Sequence, residues 1–138
     1  MSPDAQVSEQ PSSYILKIQR DELERQLFSK HTFYVNISRG WSHGMVVLFV
    51  KKDMILGSGI IDRFVELDEM KEGEEKKLCI ENNWYGKIVF SMLTRFVPPV
   101  PVHNTPASNQ NPLALHGARL SNDDAAKIEQ MAIGKIII

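Results

Sequence analysis

Two apolar runs separated by three residues constrain this chain most. Met45 to Val50 reads MVVLFV and Met54 to Leu67 reads MILGSGIIDRFVEL, with only Lys51, Lys52 and Asp53 between them. A link this short joins antiparallel neighbours, because a parallel return needs a crossover of about a dozen residues or more. The first run is almost continuously apolar, as expected of a central strand covered on both faces. The second run is too long to stay flat. Gly57 and Gly59 predict a bulge or sharp bend in it, where no side chain fits. A strand that bends at glycines is how a small barrel turns its corner.

The remaining segments arrange themselves around this hairpin. Residues 1 to 13, rich in Ser, Pro and Gln, predict a flexible arm. Residues 14 to 138 then form a single domain. Tyr14 to Ile18 reads as a first strand. Asp21 is placed to cap a helix, with Glu24 completing a capping box and Leu23, Leu27 and Phe28 forming the apolar face. Thr32 to Ile37 alternates as a second strand. Asp68 to Glu75 reads as a solvated connection. Lys76 to Ile80 and Lys87 to Leu93 are expected as a strand pair joined by ENNWYG, in which Asn82, Asn83 and Gly86 suit positive φ. Residues 96 to 112 carry five prolines and predict an extended loop over the surface. Ser121 caps a further helix whose stripe is Ala125, Ile128, Met131 and Ala132, and Lys135 to Ile138 is apolar enough for a final edge strand. The expected class is mixed α+β: a small, mainly antiparallel β-barrel with two covering helices.

Composition excludes several function classes. Apolar residues make up 43% and charged residues 24%, enough for one real core. A formal net charge of −1 is not that of a protein held on nucleic acid by bulk charge. It leaves room for a local basic pocket. The single cysteine, Cys79, can form neither an internal disulfide nor a Cys-rich metal site. The alternation around it predicts a packed strand residue. The four histidines are scattered, so no metal site and no cofactor are expected. No apolar run approaches the roughly 18 residues of a membrane span. The N-terminus lacks the basic and apolar regions of a secretory signal, and a cytoplasmic location is the default expectation.

The stretch FYVNISRGWSHGMVVLFVKKDMILGSGIIDRFVEL resembles the PUA-like superfamily, especially its ASCH and EVE branches. The likeness lies in an early helix at Asp21 to Lys30, a polar loop at Arg39 to Gly44 ahead of a central strand, and a glycine-bearing strand from Ile55 to Val65. It runs over roughly Tyr14 to Leu93. Where that group usually has Gly-Asp before the central strand, this chain has Gly44-Met45. The resemblance implies a PUA-like barrel and binding of RNA, or of a modified or flipped base, in a cleft. Some ASCH relatives cleave an acyl amide from a modified cytosine with a Lys and a Thr after the first helix. This chain offers Lys30 and Thr32 at that place, with one residue between them.

Two loops supply the candidate binding residues. The first holds Arg39, Trp41 and His43. An aromatic ring stacks a base for about 1–3 kcal/mol, an arginine pairs with phosphate or stacks, and a histidine donates or transfers a proton. The second holds Asn82, Trp84 and Tyr85 with Lys87 on the following strand; amides read base edges and rings form walls. Arg95, entering the proline-rich segment, adds charge. Each has a plainer reading: rings that close a core, an arginine in a surface ion pair, a histidine that only braces its loop. Three functions follow as expectations. The first is binding of RNA, single-stranded nucleic acid or a modified nucleotide base. The second is hydrolysis of a modified nucleoside, with Lys30, Thr32, His43 and Glu66 or Glu81 as the groups to search. The third is a protein-interaction domain without catalysis.

Overall fold

A computed structural model describes residues 13–138. The arm expected at residues 1 to 13 lies outside them except for Ser13, which begins the first strand. Among the described residues, seven strands form one sheet: β1 (Ser13–Lys17), β2 (Thr32–Val35), β3 (Val46–Lys51), β4 (Met54–Glu66), β5 (Gly86–Pro101), β6 (Arg119–Leu120) and β7 (Lys135–Ile137). Three α-helices accompany them: α1 (Asp21–Lys30), α2 (Glu74–Glu81) and α3 (Asn122–Met131). The strand order is β2-β5-β4-β3-β1-β6, with β7 added to β5. One pair, β1 with β3, is parallel; the other pairs are antiparallel.

The expected barrel is therefore corrected to an open sheet. β2 and β6 stand at opposite ends of the strand order and do not pair. Closure needs a continuous ladder across the seam. β6 is only two residues long, and both of its residues are spent on Ser13 and Tyr14 of β1. The two expected covering helices are in fact joined by a third.

The central hairpin forms as its spacing requires. β3 and β4 are joined by Lys52 and Asp53, with φ of 48° and 57°, a pair of left-handed residues that matches the twist of a two-residue hairpin. The bend falls where the glycines predict it. The register of β4 shifts at Leu56, between Ile55 and Gly57 on the β5 side. Gly57 is required there: a Cβ would sit 2.1 Å from the Thr94 carbonyl oxygen.

Side chains leave the sheet alternately toward two cores. On one face Tyr14, Leu16, Val47 and Phe49 meet Leu23 and Leu27 of α1. On the other, Ile15, Leu48 and Val50 meet Ala125 and Ile128 of α3 together with Val102, Ala107 and Leu115. β3 is thus buried on both sides. Ser121 caps α3 by accepting from the Asp124 N–H at 3.0 Å. Asp21 does not cap α1. Arg20 holds the cap position, and Asp21 pairs with Lys51 instead.

Two segments differ from expectation. Lys76 to Ile80 is not a strand but part of α2. Its period-2 pattern is illusory, because Leu78 and Ile80 are exposed and only Cys79 is buried. Glu, Lys and Leu are strong helix formers, and local propensity prevails. The partner expected there for β5 is supplied by β2 and β4. The proline-rich stretch is also not loop throughout. β5 runs on to Pro101, with Phe96 to Pro99 standing opposite the bulge at Leu56, where Pro98 and Pro99 interrupt no ladder bond. Three short 3₁₀ turns follow, from Val102 to Ala114.

Candidate functional site

The two aromatic loops meet, but at a half-buried backbone carbonyl. Trp41 Nε1 donates to the Ile37 carbonyl at 3.1 Å, and the Tyr85 hydroxyl donates to the same oxygen. Trp41 is 7% exposed and lies edge-on to Tyr14 at 5.4 Å. Trp84 is 8% exposed and stacks on Tyr34 at 4.8 Å, with the Arg20 guanidinium over its ring at 5.3 Å. Arg20 also donates to Asn82 Oδ1 at 2.8 Å. Each ring is occupied by neighbours from its own chain.

The charged candidates are engaged as well. Arg39 donates to the carbonyls of Gly117 and Ser38 at 2.8 and 2.6 Å. His43 is exposed beside Asp62, its Nδ1 3.1 Å from that residue's carbonyl oxygen. Lys87 holds Glu75 at 2.8 Å, and Tyr34 donates to the same carboxylate at 2.8 Å. Burial alone would raise the Glu75 carboxyl, but these two donors outweigh it and hold it below its usual range. Burial, with Glu75 as acceptor, pushes Tyr34 up to about 12. Burial raises the Cys79 thiol in the same layer. This cluster docks α2 against β2 and β5. Arg95 lies over the Phe28 ring at 4.7 Å and 3.6 Å from Glu24.

The groups considered for hydrolysis are not assembled. Lys30 is exposed, Thr32 Oγ1 accepts from Gln26 at 3.0 Å, and Glu66 and Glu69 form a capping box. Among the described residues no hydrogen bond links Lys30, Thr32, His43, Glu66 or Glu81 to one another. Nor does any group of three or more His, Cys, Asp or Glu stand ready to hold a metal ion.

A cleft with an apolar floor and a polar rim lies elsewhere, at the end of the sheet where β1 stops and β3 turns into β4. It measures about 650 Å³, within the usual range for small-molecule sites. Ile18, Val50, Val102, Ala107 and Leu115 make an apolar floor. Lys17, Gln19, Lys52, His103, Ser108 and Gln110 surround it, together with Asp21 and Asp53. Lys51 enters the rim already held by Asp21 at 2.7 Å and by Glu24. The bond from Lys51 holds the Asp21 carboxyl below its usual range and raises the ammonium. Lys17 and Lys52 make no ion pair among the described residues.

The scaffold behind this rim is well braced. The Lys17 backbone N–H donates to His116 Nδ1 at 3.0 Å, which requires that nitrogen to be unprotonated. Burial, then the nearby Lys17 and Arg39 charges, lowers the His116 pKa below its ordinary value. The Asp53 backbone carbonyl accepts from the Val102 N–H at 2.9 Å and ties the hairpin turn to the proline-rich segment. Thr105 caps the next turn by accepting from the Ala107 N–H at 3.1 Å. Sequence reasoning missed this rim because its members come from three distant segments with no local motif. The available signals were a lysine pair, Lys51 and Lys52, where β3 enters its turn, and a proline-rich stretch long enough to line a site.

No family model matches the chain, and no curated protein matches it. With the barrel absent and neither comparison restoring it, the PUA-like, ASCH and EVE likeness and the RNA-binding role drawn from it are set aside. No helix among the described residues is long and apolar enough to cross a membrane.

Proposed function

We propose that this protein is a binding module for a small phosphate-bearing nucleotide, held in the cleft between the end of β1, the β3–β4 turn and the Val102–Leu115 segment. One observation carries the reading: an apolar floor lies under two lysines, Lys17 and Lys52, that form no ion pair within 4 Å among the described residues, Lys52 acting on Asp21 only at longer range. A flat base gains by covering Ile18, Val102 and Leu115. A phosphate gains from charge-assisted bonds to the two ammonium groups. Gln19, Ser108 and Gln110 offer donors and acceptors for base or sugar edges. Few phosphates are neutralised in such a site, so a net charge of −1 is no obstacle and the salt dependence is shallow. A nucleotide ligand fits the cytoplasmic location proposed for the chain.

Calorimetric titration with nucleoside monophosphates, the matching nucleosides and modified nucleosides tests the reading. Saturable binding of a monophosphate is expected, weakened about ten- to a hundredfold by Lys17→Ala or Lys52→Ala, since a charged hydrogen bond contributes about 1.5–3 kcal/mol. Trp41→Phe is expected to leave binding unchanged. Absence of binding by a folded protein, or binding indifferent to both lysines, overturns the proposal.

A further inference from the structure

The outer edge of β7 is open and apolar. Ile133, Ile136 and Ile137 are 89%, 54% and 68% exposed. β7 pairs with β5 through Thr94 opposite Ile137, Arg95 opposite Ile136 and Phe96 opposite Lys135. The Val97 N–H donates to the Gly134 carbonyl and the Ile138 N–H to the Leu93 carbonyl. In an antiparallel ladder the bonded pairs alternate. Residues 134, 136 and 138 therefore turn their backbone groups toward β5, while Lys135 and Ile137 turn theirs outward. Beside this edge a groove of about 400 Å³ is lined by Ile60, Met92, Glu129, Lys135 and Ile137.

We propose that β7 is the interface of a homodimer, in which two copies pair this strand antiparallel about a two-fold axis at Ile136. The register follows from the pattern of free groups. With Ile136 opposite its own copy, each Lys135 faces Ile137 of the other chain, and these are the residues whose N–H and C=O point outward. The edge is thus complementary to itself, as a two-fold interface requires. Charge agrees with the register. Lys135 and Ile137 share the groove face with Glu129, whose carboxylate is fixed by Ser58 Oγ at 2.6 Å. Pairing carries each Lys135 over Ile137 of the second copy, beside that copy's Glu129. On the opposite face Ile136 meets Ile136. The edge is short, three residues, but its isoleucines are exposed and no proline breaks it, which leaves its outward N–H and C=O groups available for pairing.

Sedimentation equilibrium on the full chain tests this, with Ile137→Pro and Lys135→Glu beside the parent. The parent is expected at twice the 15.7 kDa chain mass. Ile137→Pro removes an outward N–H and no bond to β5, so it leaves each chain folded and weakens the dimer about tenfold or more. Lys135→Glu sets like charges against each other and weakens it; adding Glu129→Lys restores it. Circular dichroism of each variant checks folding independently. A folded parent that stays monomeric from micromolar to millimolar concentration overturns the proposal. So does a dimer that Ile137→Pro, shown to be folded, leaves intact.

Discussion

Trp41 and Tyr85 donate to one and the same oxygen, the carbonyl of Ile37. The loop before β3 and the loop before β5 are thereby fastened to a single point just past β2, and both rings serve packing. Tyr85→Phe is expected to cost about 0.5–1.5 kcal/mol, because the carbonyl keeps Trp41 as donor and only one bond is lost. Removing both donors, with Trp41→Phe added, strands the carbonyl and costs more than the sum of the two single changes. Urea denaturation of the four members of this cycle measures the excess.

The bend in β4 offers a second test. Gly57 has the Thr94 carbonyl where its Cβ would be, at 2.1 Å. A backbone atom cannot swing aside as a side-chain end does. Gly57→Ala is expected to destabilise the protein by at least the about 1–3 kcal/mol typical of overpacking. Gly73, with open space around its Cβ position, is the control. Thermal denaturation of the two alanine variants separates them.

His116 ties stability to pH. Its folded pKa lies below the ordinary 6.5 because of burial, and because Lys17 and Arg39 are near. Between the folded and unfolded values the unfolded chain binds more protons. Stability is therefore fully present above the unfolded value and is lost as pH falls through the folded one. In His116→Gln this loss disappears. The parent's advantage over the variant should shrink as pH is lowered from about 7.5 to about 5, as read from denaturation midpoints. An advantage that grows on acidification contradicts the assignment.

Lys52 combines an unfavourable backbone with a useful charge. Its φ of 48° is costly for a residue with a side chain. Lys52→Gly is expected to raise stability by up to about 1 kcal/mol. The same change is expected to weaken nucleotide binding, since it removes one of the two ammonium groups at the cleft. Calorimetric titration and a melting curve on one sample show whether the two effects oppose each other.

Where the sequence was legible, one short stretch carried the whole signal. The β3–β4 hairpin announced itself by two apolar runs and a short link. The cap at Ser121 and the bend at Gly57 each rest on residues that do one thing well. The 74–81 segment misled because Leu78 and Ile80 alternate around Cys79 as in a strand, yet only Cys79 is buried. Local propensity makes it a helix, and what docks it on the sheet includes a distant ion pair, Glu75 with Lys87, which no local pattern displays. The sequence leaves open whether the two aromatic loops converge; their rings turn inward, and exposure is a property of the assembled sheet. The open sheet itself turns on the shortness of β6. Lys17, Lys52 and His103 reach one cleft only because β1 runs beside β3 and the segment after β5 folds back over their ends.

The most direct measurement is a ¹⁵N–¹H spectrum of the labelled protein titrated with a nucleoside monophosphate. The proposed function predicts shifts concentrated at Lys17 to Gln19, Lys51 to Asp53 and Val102 to Leu115, with the Trp41 and Trp84 indole signals unmoved. Shifts centred on those indoles and on Arg39 and Asn82, or no shifts at saturating ligand, would contradict it.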